Sequence, residues 1–203
     1  MPFADRPAFN FGQLKVLRVT SRGGAPASQD RLELDFNGWA HGGRWAVQLD
    51  TALGRPGDPT LIVAQGVACL AVAWWAQLSP KSYIERVVGA VFLSPLSFSP
   101  SEAPVARSLR PSPGTRLPFP SIVTSHASPI IQQVLDLADT WGSQFVDADA
   151  SAEVARRTLL GHPLVYEPHL MELIDASWVL PAPAAPVEPT ILPGIDLLAT
   201  TRK

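Results

Sequence analysis

Apolar positions along this chain follow two periods that alternate. Leu14-Lys15-Val16-Leu17-Arg18-Val19-Thr20 alternates well enough for a first strand, and Arg31 to Phe36 for a second. Gly38–Leu53 then takes a helical spacing, with Trp39, Trp45, Leu49 and Leu53 as packing positions. From Thr60 to Ser79 the chain has no charged residue. Its front, Leu61-Ile62-Val63-Ala64, is short, apolar and partly β-branched, which suits a strand buried on both faces. Its back, Val67 to Leu78, is rich in Ala and Leu and suits a helix. Val87 to Leu93 is a second buried strand, and Ser121 begins another. Ile131–Trp141 is helical, with Val134, Leu135, Ala138 and Trp141 on one face, and Gln144 opens the last strand. Helices are also predicted at Ala152–Leu160 and Pro168–Val179.

Strands that alternate with helices predict an α/β protein: a three-layer α/β/α sandwich with a mostly parallel sheet of about five strands. Strand candidates begin near Leu14, Arg31, Thr60, Val87, Ser121 and Gln144. The expected organisation is an N-terminal arm over residues 1–13, a domain over 14–180 and a proline-rich tail over 181–203. Of 21 prolines, most fall in Ser94–Pro120 and Pro181–Pro193, so the first of these reads as a loop and the second as an extended, polyproline-like segment. The uncharged stretch admits one competing reading, a transmembrane helix, since a span needs about 20 residues. Gln65, Gly66 and Gln77 interrupt it, and no flanking Lys or Arg cluster marks a cytoplasmic side.

Composition narrows the function. An apolar fraction of 46% is enough for a core, and a net charge of −2 with scattered basic residues argues against nucleic acid. The single cysteine, Cys69, excludes an intramolecular disulfide and a cysteine-based zinc site. It falls in the apolar helix and reads as a core residue. No metal or cofactor is expected. The N-terminus shows no signal-peptide pattern, so a cytoplasmic location is expected.

The strand, turn and helix around Gln65-Gly66 have the layout of a nucleophile elbow. This stretch resembles the elbow of the small serine hydrolases typified by retinoblastoma-binding protein nine. Where that family reads Gly-His-Ser-Leu-Gly-Cys-Leu-Ala, this chain reads Ala64-Gln65-Gly66-Val67-Ala68-Cys69-Leu70-Ala71. Leu117-Pro118-Phe119-Pro120-Ser121-Ile122-Val123 and Trp141-Gly142 are similar to further segments of the family, and the resemblance spans roughly Leu32 to Asp147. It implies a shortened α/β-hydrolase-like fold.

The resemblance also implies a degenerate triad. Gly66 stands where the nucleophilic serine would be, and Ser128 where the triad acid would be. No histidine follows Asp147 where the family has its base, although His162 could return from beyond an inserted helix. The expected function is therefore a catalytically inactive, hydrolase-like binding or structural subunit of a protein assembly. Its partner would be another protein or a second copy, held through the proline-rich tail. Two alternatives stay open. One is a hydrolase with a rebuilt site using Ser125, Ser128 or Cys69 with His126 or His162. The other is a small-ligand binder using a vacated pocket of Gln65, Gly66, Val67, Ser94, Ser125 and His126. His41, beside Gly42-Gly43, reads as an exposed residue at a helix start, Gly23-Gly24 as a turn, and Ser94, Ser97 and Ser99 as turn formers.

Overall fold

Six strands form one sheet in the order β2-β1-β3-β4-β5-β6, and every neighbouring pair is parallel. They are β1 (Lys15–Ser21), β2 (Arg31–Leu34), β3 (Thr60–Gln65), β4 (Val87–Leu93), β5 (Ser121–Ser125) and β6 (Gln144–Asp147). The structure is a computed structural model and describes residues 14–21, 31–36, 44–54, 58–109, 114–150, 152–158, 162 and 164. The sheet thus has one strand more than the five expected, and among the described residues it is wholly parallel. All six predicted strand starts fall within a residue of the observed ones.

The helices are α1 (Arg44–Leu53), α2 (Val67–Leu78), α3 (Lys81–Ile84), α4 (Ala103–Leu109), α5 (Ile131–Trp141) and α6 (Ala152–Thr158). From β2 onward each crossover moves the same way across the sheet. Right-handed connections therefore put α1, α2, α4 and α5 on one face. Their buried residues, among them Leu49, Val72, Val105 and Val134, share one core with Leu17, Val19, Ile62, Ala64, Ala90 and Phe92 of the sheet. The opposite strand positions, Leu61, Val63, Val88, Val91 and Ile122, form a second core with Ala155 of α6 and Leu164. Two cores separated by a sheet are the three layers of an α/β sandwich.

The uncharged stretch divides at Gly66 into strand and helix, so the membrane-helix reading fails. Twelve residues of α2 rise about 18 Å, short of a bilayer core of about 30 Å. No helix among the described residues is long and apolar enough to cross a membrane. A helix apolar all round has to be buried on most sides; nine of the α2 residues are, from Val67 to Ala73 with Trp75 and Ala76. Its polar atoms are matched: Trp74 Nε1 donates to the Leu109 carbonyl at 2.8 Å and Trp75 Nε1 to Asp50 Oδ1 at 2.9 Å. The two tryptophans thereby tie α2 to α4 and α1.

The expected proline-rich loop over Ser94–Pro120 contains α4. Glu102 accepts the Ser99 N–H at 2.7 Å and the Ser99 hydroxyl at 2.8 Å, in the manner of a capping box. Pro104 falls in the first turn, where a missing N–H breaks no helical bond. α1 begins in the described residues at Arg44; the predicted start at Gly38 and Trp39 lies outside them. So do His41, Gly23-Gly24, the Pro168–Val179 helix, the arm over 1–13 and the tail over 181–203.

Candidate functional site

Parallel strands all end on one side, and the carboxyl ends of this sheet gather the residues singled out by sequence. Leu93 of β4 is in register with Gln65 of β3 and with Thr124 of β5, and Ser125 pairs with Asp147 of β6. Hydrogen bonds continue one residue past the strands: Gly66 N–H to the Leu93 carbonyl at 3.0 Å, Ser94 N–H to Thr124 at 2.7 Å, and Ala148 N–H to Ser125 at 3.0 Å. Gly66, Ser94 and Ser125 are therefore one row across three adjacent strands. Gln65 is exposed and ends β3; Val67 is buried and begins α2. In this sheet order the chain reverses direction between β1 and β3, and crevices at such points are where open α/β sheets bind ligands.

The turn itself is sharp. Gly66 has φ 58° and ψ −132°, the first central position of a type II′ turn, which favours glycine. Its carbonyl accepts the Cys69 N–H at 3.1 Å, which closes the first turn of α2. A Cβ at this position would lie 2.8 Å from the Ser97 carbonyl oxygen. The loop after β4 is thus packed over the elbow, at the place where a side chain would rise from it. Ser94 bends that loop with φ 47°, the one non-glycine residue with positive φ among the described residues, and its carbonyl accepts the Ser97 N–H at 2.9 Å.

The remaining candidates divide. Cys69 is fully buried and its thiol donates to the Ala64 and Leu93 carbonyls, while burial pushes its pKa far up. A thiol held in that state is inert. His162 does not reach the elbow. Its ring meets the backbone of Ser121, at the amino end of β5, and Nδ1 accepts the Leu164 N–H at 3.3 Å; half-burial lowers its pKa. Ser125 is buried, and its hydroxyl donates to the His126 carbonyl at 3.3 Å. The Ser128 hydroxyl oxygen is buried with no hydrogen-bond partner, and the Ser128 carbonyl accepts the Ile131 N–H at the start of α5.

His126, just past β5, pairs with Asp149, just past β6, at 2.9 Å between Nδ1 and Oδ1. Asp149 Oδ2 accepts the Ala127 N–H at 3.2 Å, and these two hydrogen bonds, the one from His126 first, lower the carboxyl's pKa. Asp149 is the site residue that sequence reasoning passed over. The signal was the parallel pairing of Ser125 with Asp147, which brings the residues following each strand together. Among the described residues, no group of three or more His, Cys, Asp or Glu side chains could hold a metal ion.

A parallel sheet whose central strand turns through a positive-φ glycine into a buried helix is α/β-hydrolase-like architecture. The solved structure of a YdeN-like hydrolase from Pectobacterium atrosepticum SCRI1043 superposes with a TM-score of 0.51, covering 81% of this chain and 92% of that one. At 16% identity that likeness concerns the fold alone. No curated protein matches the sequence significantly. A family model described as serine hydrolase matches residues 29–161, about two thirds of the chain, and the chain belongs to that family.

Proposed function

We propose that this protein is a degenerate member of its family, of the kind of the small hydrolases typified by retinoblastoma-binding protein nine, and is inactive as a serine hydrolase. Gly66 replaces the nucleophile, Ser128 the acid, and no histidine occurs between Asp147 and Gly161. The fold serves as a binding or structural subunit, joined to a protein partner or a second copy through the proline-rich segment over 181–203. The proposal includes a cytoplasmic location and, as a secondary ligand site, the row of Gln65, Gly66, Val67, Ser94, Ser125 and His126. The observation that carries it is Gly66. The elbow residue has no side chain, and the Ser97 carbonyl stands where one would project. Acyl transfer needs a nucleophile there with a base in hydrogen-bond reach.

Two experiments test this reading. Hydrolysis of short-chain nitrophenyl esters is expected to show no burst and no dependence on Ser125, Ser128 or Cys69; turnover lost on mutating one of them contradicts it. Deleting residues 181–203 is expected to leave the domain folded and to abolish co-purification with the partner or the second copy. Unchanged assembly after deletion contradicts the tail's role. A second reading, hydrolysis at a rebuilt site, is favoured by one observation, the His126–Asp149 pair.

A further inference from the structure

His126 and Asp149 are held from several sides. Asp149 uses both carboxylate oxygens, one on the His126 ring and one on the Ala127 N–H, while its own N–H is fixed by Asp147 Oδ1 at 2.9 Å. Asp147 and Asp149 are the titratable groups that hydrogen bonding brings to this corner. Two accepted hydrogen bonds favour the ionised carboxylate, and its lowered pKa agrees. An ionised carboxylate only accepts, so the hydrogen between the two groups belongs to Nδ1. In the neutral ring Nε2 is then the bare nitrogen. No described residue hydrogen-bonds to it, and the His126 side chain is 58% exposed. This is the tautomer and orientation in which an aspartate readies an imidazole to take a proton.

The nucleophile such a base would activate is not supplied by the chain. The Ser125 hydroxyl is turned to a carbonyl, the Cys69 thiol is buried among carbonyls, and Gly66 has no side chain. Two strand spacings, about 10 Å, separate β5 from β3. The ring is drawn toward β6, away from the elbow. Solvent reaches it directly.

We infer that His126 and Asp149 form a general-base dyad that activates water against activated acyl esters, independently of the elbow. The inference rests on the rebuilt-site reading. His126 is the catalytic residue and Asp149 the positioning residue. Nε2 takes a proton from water as the water oxygen bonds to the acyl carbon. The tetrahedral intermediate then expels the alcohol or phenol oxygen, which leaves with the proton from the imidazolium. Ester and water become acid and alcohol, with no other reactant.

The test uses the full chain with p-nitrophenyl acetate as probe, alongside nitrogen NMR of the imidazole. The neutral His126 ring is expected as the Nδ1–H tautomer. Turnover is expected to slow in heavy water and to show no burst. His126→Ala lowers it by about a hundredfold or more, with the melting temperature of the variant confirming that it folds. Asp149→Ala is expected to lower kcat, by less than His126→Ala does, with KM unchanged, and to bring in the Nε2–H tautomer; a merely structural role would leave kcat unmoved. An Nε2–H tautomer in the unmodified protein, or a rate indifferent to His126→Ala, overturns the dyad. Turnover lost instead on Ser125→Ala or Ser128→Ala overturns the dyad and leaves a rebuilt site. No turnover above buffer overturns both and leaves the binding-subunit reading.

Discussion

Gly66 combines a backbone that side chains avoid with a space that the chain itself fills. A φ of 58° is costly for a residue with Cβ, and the Ser97 oxygen at 2.8 Å adds a contact that has to be relieved by moving the loop. Active hydrolases hold a serine in such strain because reactivity depends on it; here no hydroxyl offsets the cost. Gly66→Ser is expected to destabilise the fold by about 1–3 kcal/mol in urea unfolding and to add no esterase activity. A neutral or stabilising effect would show that the loop does not press on the elbow. Asp149 gives a second residue-scale prediction. Its folded pKa lies below the ordinary aspartate value, so its contribution to stability is present above about pH 4 and disappears as pH falls through the folded value. The pair is exposed, so the effect is small. The stability gap between the unmodified protein and Asp149→Asn, followed by urea unfolding, is expected at pH 6 and to narrow as the pH falls below about 4. A gap that widens on acidification contradicts the assignment of the ionised form.

At the scale of elements, α2 is the part to which the rest attaches. It is almost free of polar groups, so the few it has must find partners where it packs. Trp75 is 2% exposed and its N–H is taken by Asp50 on α1. Asp50→Ala strands that donor and is expected to cost about 1–3 kcal/mol in urea unfolding. In the double variant with Trp75→Phe, the Asp50 change is expected to cost little more than Trp75→Phe alone, because the donor has gone with the indole. Full additivity of the two losses would mean that the hydrogen bond contributes nothing. α5 shows the same economy at its end, where Gly142 takes the left-handed φ of 66° and closes the helix before β6. At the same end of α5, Trp141 and Phe92 of β4 meet with ring centroids 4.9 Å apart, which locks the helix to the middle of the sheet.

At the scale of the molecule, what could be read in the sequence was whatever a local period encodes. Val87 to Leu93, buried at every position, has no polar alternation and so announces a strand covered on both faces. The elbow was legible because a strand, a glycine and a charge-free helix follow one another without a break. α4 was not, because Pro95, Pro100 and Pro104 read as breakers while the Ser99–Glu102 cap spaced between them went unused. The His126–Asp149 pair was hidden for another reason. It joins residues 23 apart and depends on the parallel register of β5 and β6, which no local pattern states. For His162 the sequence leaves open a return to the site from beyond an inserted helix, but the chain carries it to the other end of β5. The arrangement that results is a hydrolase fold with its elbow closed by its own loop and its titratable pair at the neighbouring rim. The measurement that tests this most directly is intact mass after exposure of the folded protein to a fluorophosphonate probe. The account predicts an unmodified mass, since neither the elbow nor the rim presents an activated hydroxyl. Stoichiometric labelling of any serine, Ser125 or Ser128 above all, would contradict it.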